Sequence, residues 1–112
     1  MADFPGGELA AINPILNVAD LAAGIAFYTE VLGLELHHSF GDPADFAIVG
    51  RDGQQIYLCQ NGQGRPGTWL ALFVTDRTAL LQQLASHGHE AVPHGDEFRV
   101  QDPDGHVLRL FE

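Results

Sequence analysis

The 112-residue chain has no lysine and only five arginines, whereas it carries 15 aspartates and glutamates, and its formal charge is −10. Nucleic acids and anionic membrane surfaces are therefore not expected as partners, because both are bound through clustered cations. The same charge favours the attraction of cationic ligands, although an ordinary solvated surface accounts for it equally well.

Cysteine is nearly absent as well. Cys59 is the only one, so the chain cannot form an internal disulfide and needs no oxidising compartment. No stretch approaches the roughly 18 consecutive apolar residues of a membrane span, and the N-terminal residues lack the pattern of a signal peptide. The sequence predicts a cytoplasmic protein, in which Cys59 is a small core residue rather than a nucleophile.

One pattern occurs twice in the chain: an apolar strand runs into an amphipathic helix that ends at a glycine. The copies are INPILNVADLAAGIAFYTEVLG and TWLALFVTDRTALLQQLASHG. Asp20 and Asp76, 56 residues apart, stand where an N-cap accepts hydrogen bonds from the first helical turn. Gly33 and Gly88 stand where a left-handed residue ends a helix.

Two strand-like runs joined by an Asp-Gly turn follow each helix, in FAIVGRDGQQIYLC and FRVQDPDGHVLRLF. A further strand is predicted in LELHHSF, and a weaker one in the short, proline-containing run HEAVPHGDEF. The sequence thus predicts an α+β fold of two βαβββ modules in tandem, forming a curved mixed sheet around a cleft. A single domain is expected over 1–112, with modules at about 11–60 and 68–112 and a linker at 61–67.

Strand alternation assigns residues to the two faces of this sheet. The residues at one set of alternate strand positions are aliphatic, and this set is expected to pack on the helices. The other is mixed, as is typical of a ligand cleft, although a solvated face with a few aromatic residues is the alternative. The predicted ligand-binding residues are Asn13, Phe40, Phe46, Tyr57, Trp69, Phe73, Arg109 and Phe111.

The run PILNVADLAAGIAFYTEVLGLEL and the tail FRVQDPDGHVLRLFE resemble the vicinal-oxygen-chelate superfamily, which includes glyoxalase I, extradiol dioxygenases and bleomycin-resistance proteins. The resemblance covers residues 12–112, and it is greatest to the bleomycin-resistance-like members. It implies paired βαβββ modules, in agreement with the internal repeat. It also implies a homodimer with ligand sites between modules, built either within one chain or across two.

The metal enzymes of this superfamily place a histidine on the first strand of a module and a glutamate on the last. The resemblance carries those positions onto Asn13, Tyr57, Trp69 and Arg109. Indole and guanidinium groups have no acceptor for a metal ion, and a phenol or a carboxamide is a poor ligand at neutral pH. We therefore predict no metal, no cofactor and no catalytic residue.

The histidines are an alternative source of metal ligands. His37 and His38 are adjacent, so on a strand they are expected to point to opposite faces. His87, His89 and His94 lie close together in sequence, around and after the end of the second helix. We interpret them as solvated surface residues, and the alternative is that they form an adventitious metal site. His106 lies in the last hairpin, beside Asp104, which is expected to serve the turn.

Three functions follow from these observations. The first is a metal-independent protein that sequesters a small molecule, such as a cationic aromatic drug, through stacking and cation-π contacts. Arg109 favours an anionic ligand instead if it is unpaired. The second is a metal-dependent glyoxalase, lyase or dioxygenase whose ligands lie at positions not assigned above. The third is a scaffold with a vestigial pocket.

Overall fold

A computed structural model describes residues 5–112 of the chain. Module 1 contains β1 (Ile15–Val18), α1 (Leu21–Ala26), β2 (Glu35–Gly41), β3 (Ala44–Arg51) and β4 (Gln54–Gln60). Module 2 contains β5 (Trp69–Phe73), α2 (Arg77–Ser86), β6 (Val92–His94), β7 (Glu97–Gln101) and β8 (Val107–Phe111). The predicted α+β fold of two βαβββ modules is confirmed, including the weakly predicted strand, which is only three residues long.

Each module forms its own four-stranded mixed sheet, with the strand orders β1-β4-β3-β2 and β5-β8-β7-β6. The mixed strand pairing that the sequence predicts is present in both modules. The outer edge of β1 is covered by the segment that connects the modules, because Asn17 Nδ2 donates to the carbonyl of Gln63 at 3.4 Å. Gly64 lies so close to this edge that a Cβ would come within 2.7 Å of the Ile15 carbonyl oxygen.

Both helices begin and end where the sequence predicts. Asp20 accepts a hydrogen bond from the Ala23 amide at 3.2 Å, and Asp76 accepts one from the Ala79 amide at 3.1 Å. Each carboxylate thus satisfies an otherwise free donor of a first helical turn. Beyond the helices, Gly33 and Gly88 have φ angles of 95° and 80°, which a glycine adopts without steric cost.

The first helix departs from regular α geometry, because residues Phe27–Val31 form a π-helical turn directly after α1. The Leu32 amide donates to the Phe27 carbonyl at 2.9 Å, and Thr29 Oγ1 donates to the Ile25 carbonyl at 2.7 Å. Two consecutive aromatic residues of this turn, Phe27 and Tyr28, are both buried, and their ring centroids lie 5.1 Å apart.

The aliphatic residues at alternate strand positions pack on the helices, as the sequence predicts. The fully buried aliphatic side chains include Leu16, Val18, Leu58, Leu84, Leu108 and Leu110. They form one hydrophobic cluster that draws on both modules. No helix within residues 5–112 is long and apolar enough to cross a membrane.

The turn between β7 and β8 ties the two modules together through polar contacts. Asp102 Oδ1 accepts the amides of Asp104 and His106, both at 2.9 Å, and thereby holds the turn. Asp104, which we expected to serve the turn, instead accepts the Ala19 amide of module 1 at 2.8 Å. His106 Nε2 lies 2.6 Å from the carbonyl oxygen of Asn17, also in module 1.

Candidate ligand-binding site

The sheet faces that point away from the helices carry the predicted ligand-binding residues, and they form two separate walls. Wall A, on module 1, comprises Asn13, His38, Phe40, Phe46 and Tyr57. Wall B, on module 2, comprises Trp69, Phe73, Glu97, Arg99, Arg109 and Phe111. The strand register supports these assignments, because Phe40 pairs with Phe46 and Arg99 pairs with Arg109 across neighbouring strands.

Wall A is a row of aromatic rings that crosses three strands. The ring centroids of His38 and Phe40 are 4.4 Å apart, those of Phe40 and Phe46 5.9 Å, and those of Phe46 and Tyr57 5.6 Å. Asn13 Nδ2 lies 3.3 Å from the Tyr57 hydroxyl oxygen and can donate to it. Phe40 is 46% exposed, so the row presents a ring to solvent.

The expectation that His37 and His38 point to opposite faces is wrong. The β2–β3 register shifts between Leu36 and His38, which leaves His37 as an extra residue in a bulge. His37 Nδ1 lies 3.2 Å from the side-chain nitrogen of Gln55, which shares the strand parity of Tyr57. Both imidazoles therefore lie on the side of wall A.

Wall B combines aromatic rings with the guanidinium groups of two arginines. The guanidinium carbon of Arg99 lies 5.1 Å from the ring centroid of Trp69, and that of Arg109 lies 4.9 Å from the ring centroid of Phe111. Phe73 stacks on Phe111 with a centroid distance of 4.9 Å and an interplanar angle of 15°. The wall is open, since Trp69 is 54% and Phe73 77% exposed.

Glu97 links the two arginines of wall B. Its Oε1 accepts from Arg109 Nη2 at 2.6 Å, and its Oε2 accepts from Arg109 Nε at 2.7 Å and from Arg99 Nε at 3.1 Å. The two hydrogen bonds from Arg109, and then the one from Arg99, lower the pKa of Glu97 from 4.5 to about 2. The hydrogen bonds between Glu97 and Arg109 also raise the pKa of Arg109. Glu97 is therefore ionised at any physiological pH.

A hollow of about 420 Å³ opens on wall B beside Trp69. The residues that line it include Val92, His94, Arg99 and the exposed Glu90. This volume is within the range of small-molecule sites. A larger groove of about 690 Å³ runs between the modules; helix-side residues such as Leu72 and the β3–β4 turn line most of it, and Phe73 of wall B borders it as well.

The structure thus divides the predicted site residues into two sets. Asn13, Phe40, Phe46 and Tyr57 come together on wall A, and Trp69, Phe73, Arg109 and Phe111 come together on wall B. Among the described residues, no hydrogen bond or ring contact joins one set to the other. Within residues 5–112, the two walls are therefore separate surfaces.

The side chains at the four positions implied for a metal do not fit a divalent ion. Asn13 and Tyr57 are hydrogen-bonded to each other, the Trp69 ring lies under a guanidinium, and Arg109 is ion-paired with Glu97. Glu97 is the carboxylate nearest to a ligand position, and both of its oxygens already accept from arginines. Across residues 5–112, no three histidine, cysteine, aspartate or glutamate side chains lie close enough together to hold an ion.

The remaining histidines and the cysteine are accounted for by local contacts. His87 and His94 are exposed, as the surface interpretation predicts, whereas His89 packs edge-on against Phe27 with a centroid distance of 5.2 Å. Cys59 Sγ accepts the Gln63 amide at 3.3 Å. The thiol therefore contributes to the chain reversal after β4.

Two residues of wall B, Glu97 and Arg99, escaped the sequence-based prediction. Both lie on β7, just after the short proline-containing strand; Arg99 stands within the predicted run that begins at Phe98, whereas Glu97 precedes it. A signal was present in the hairpin register, since the Asp-Gly turn places Arg99 opposite Arg109. Two guanidinium groups side by side require a carboxylate, and Glu97 has the parity of Arg99.

The sequence of residues 9–110 matches the family model described as the glyoxalase/bleomycin resistance protein/dioxygenase superfamily. None of the curated proteins compared with the chain matches it significantly. At the level of sequence, the chain is therefore assigned by this family model, which covers nearly the whole chain.

Solved structures with the same fold share little sequence with this chain. TioX from Micromonospora sp. ML1 is 16% identical with a TM-score of 0.79, and 88% of this chain and 94% of that chain are covered. A putative glyoxalase family protein from Bacillus anthracis is 18% identical with a TM-score of 0.77, at 98% and 97% coverage. TnmS3, an antibiotic binding protein from Streptomyces sp. CB03234, is 23% identical with a TM-score of 0.75, at 88% and 91% coverage.

Proposed function

The chain belongs to the glyoxalase/bleomycin resistance protein/dioxygenase superfamily, and from this premise we propose that it is a cytoplasmic, metal-independent protein that binds and sequesters a planar aromatic small molecule. The observation that carries the proposal is the composition of the two walls. At the positions where metal-dependent members need imidazoles and carboxylates, they offer Asn13 and Tyr57 on wall A and Trp69 and Arg109 on wall B. The structural similarity to TnmS3, an antibiotic binding protein, is consistent with a drug as the ligand.

Stacking is the main contribution that we propose for wall A. An aromatic contact contributes about 0.5–1.5 kcal/mol beyond burial of its area, and the rings of Phe40, Phe46 and Tyr57 form a continuous row. No arginine lies on this wall, so it accepts a neutral or cationic ring without repulsion. Wall B then provides the polar contacts that orient the ligand.

We propose that the two walls meet across a homodimer, so that wall A of one chain faces wall B of its partner. The radius of gyration, 15.1 Å, exceeds the roughly 13 Å expected for a compact chain of this length, which agrees with walls that are open in one copy. Trp69, Phe73 and Phe40 are exposed large apolar residues on these walls, and Leu9 and Ile12 are exposed on the segment before β1. A second copy of the same chain covers these exposed surfaces without the need for a different partner protein.

Calorimetric titration of the purified protein with bleomycin and a panel of uncharged and acidic aromatic drugs tests the binding function. We expect saturable binding of at least one compound, unchanged by EDTA or by added divalent ions. Binding that EDTA abolishes and a divalent ion restores would favour the metal-dependent enzyme instead. A panel without any saturable binding would contradict the proposal and favour a vestigial pocket.

Two positions on β2 provide a matched pair of variants for this titration. Phe40 is 46% and Leu36 is 47% exposed, but Phe40 belongs to wall A and Leu36 pairs with Val49 on the helix side. Phe40→Ala is expected to weaken binding about twofold to tenfold. Leu36→Ala should leave the affinity unchanged, and equal losses in both variants would contradict a site on wall A.

Light scattering after gel filtration tests the homodimer. We expect a mass twice the 12.1 kDa of the chain. Phe73→Asp places a charge on the exposed end of wall B and is expected to shift the mass to that of a monomer, whereas Thr78→Asp on the exposed side of α2 should not. A wild-type monomer at micromolar concentration would contradict the assembly.

A further inference from the structure

Two side chains that lie one over the other, Arg99 and Trp69, form part of the lining of the hollow on wall B. Arg99 on β7 places its guanidinium over the indole of Trp69 on β5, at 5.1 Å. Its Nε donates to Glu97, which fixes one edge of the planar group. A guanidinium held in this way presents its remaining N–H donors in a defined direction.

The charges of wall B do not cancel. One carboxylate, Glu97, faces two guanidinium groups, and Arg109 makes two of the three hydrogen bonds to it, including the two shortest. The two terminal nitrogens of Arg99 donate to no described residue, and the Arg99 side chain is 31% exposed. One positive charge with free donors therefore borders the hollow, in a chain whose net charge is −10.

We propose that the free edge of Arg99 binds a carboxylate carried by the planar ligand, whose ring lies along wall B beside Trp69. This inference rests on the proposed binding function and adds to it the charge of the ligand. A carboxylate accepts two parallel hydrogen bonds from a guanidinium, and this pairing is stronger than a bond between neutral groups. An ammonium group in the same place would face a fixed positive charge and find no acceptor on Arg99.

Two other ionisable groups line the hollow. Glu90 is exposed and forms no ion pair with any described residue, so water screens most of its repulsion of an anion. His94 lies opposite Glu97 in the β6–β7 register and is also exposed. Neither group neutralises Arg99 by direct contact.

The test follows the indole N–H of Trp69 by ¹H–¹⁵N NMR, because the chain has only one tryptophan and so gives one indole signal. Three probes with the same ring system carry a carboxylate, a neutral carboxamide and an ammonium group: 2-naphthoate, 2-naphthamide and 2-naphthylmethylamine. We expect 2-naphthoate to shift the indole signal saturably, with an affinity about tenfold above that of the amide. The amine should bind most weakly.

Variants connect this preference to Arg99. Arg99→Gln is expected to reduce the affinity for 2-naphthoate to that for the amide. Arg65→Gln, an equal change of net charge at an exposed connector residue, should keep the preference. Glu90→Gln, at an exposed position where misfolding is not expected, should strengthen 2-naphthoate binding about twofold by removing a nearby negative charge.

The outcomes separate this inference from the proposed function. Equal binding of 2-naphthoate and 2-naphthamide, or a preference that survives in Arg99→Gln, would overturn the carboxylate site while leaving binding at wall B intact. Stronger binding of 2-naphthylmethylamine would overturn it in favour of a cationic ligand. If no probe shifts the indole signal, the carboxylate site is wrong, and the drug titration remains the separate measure of the binding function.

Discussion

The hydroxyl of Tyr28 donates a hydrogen bond of 2.7 Å to Asp102 Oδ2, between residues that are 74 positions apart and belong to different modules. Tyr28 is fully buried and Asp102 is 6% exposed. Burial and the neighbouring carboxylate of Asp102 raise the pKa of Tyr28 far above its usual value, so the hydroxyl remains a donor at every accessible pH. The other Asp102 oxygen holds the β7–β8 turn, and this single carboxylate therefore couples that turn to the first helix.

Tyr28→Phe removes this hydrogen bond and leaves a buried carboxylate oxygen without its donor. We expect a loss of about 1–3 kcal/mol in the free energy of unfolding, measured by urea denaturation. The chain's other tyrosine, Tyr57, provides the control, because its hydroxyl is only half-buried and its contact with Asn13 is 3.3 Å long. Tyr57→Phe should cost less than about 1 kcal/mol, and the opposite order would contradict the coupling.

His106 is predicted to be a neutral imidazole with its proton on Nε2. Its Nδ1 lies 3.0 Å from the Thr68 amide, which can only donate, so Nε2 must carry the hydrogen that bonds to the Asn17 carbonyl. Long-range ¹H–¹⁵N NMR should show this tautomer, and a protonated Nδ1 would contradict it. His106→Leu should destabilise the fold by about 2–4 kcal/mol, because the partner groups of a fully buried side chain lose their bonds.

The exposed His87 provides a control for that substitution. His87→Leu removes contacts only to Ser86 and Gln83 at the end of α2. We expect a change within about 0.5 kcal/mol.

The Glu97 carboxylate should make stability depend on pH in an acidic window. Its pKa is lowered from 4.5 to about 2 in the folded protein, so it stabilises the fold above pH 4.5. This contribution is lost as the pH falls from 4.5 through about 2. Urea unfolding over that range should show a shallower decline for Glu97→Gln than for the wild type.

A second acid tests whether that effect is specific. Asp52→Asn breaks an exposed ion pair with Arg51, in which the Asp52 side chain is 83% exposed. Its decline with pH should match that of the wild type. If Glu97→Gln also matches the wild type, the pairing with Arg109 and Arg99 does not hold in solution.

Replacing either of two glycines around the β3–β4 turn with alanine should destabilise the fold, for a different reason at each position. A Cβ at Gly50 would overlap the carbonyl oxygen of Gln54, which is backbone and cannot move aside without distorting the hairpin. Gly50→Ala should therefore cost about 2–4 kcal/mol. Gly53 has a φ of 79° and open space around it, so Gly53→Ala should cost only about 1–2 kcal/mol of backbone strain. Thermal unfolding measures both, and the reverse order would contradict the packing at Gly50.

Local chemistry made much of the fold predictable. The caps at Asp20 and Asp76 and the Asp-Gly turn at Asp52 are determined by residues within a few positions of each other, and strand alternation placed Trp69 and Phe73 on an open face. The π-helical turn was not predictable, since apolar spacing identifies a helix face and not the hydrogen-bonding pattern. Nothing in a regular helix indicates that Phe27 and Tyr28 are both buried.

The parts that the sequence did not reveal depend on contacts between distant segments. The connector lies against the outer edge of β1, and no residue type marks that packing. Glu97 was missed because it is the first residue of β7 and precedes the predicted strand-like run that begins at Phe98, although its partner Arg109 was identified. The site residues were therefore assigned to the right faces, while the relation between the faces depends on the tertiary arrangement.

The contacts of Asp102, Asp104 and His106 with module 1 have a consequence for how the chain can be divided. If the protein is cut in the connector and each half is produced alone, the first half exposes a tyrosine hydroxyl and a carbonyl that have lost their partners. The second half exposes the Asp102 carboxylate and the His106 imidazole, which are the hydrogen-bond partners of those two groups. Neither fragment should be stable by itself, and we expect the two to recover the native spectrum only when they are refolded as a mixture.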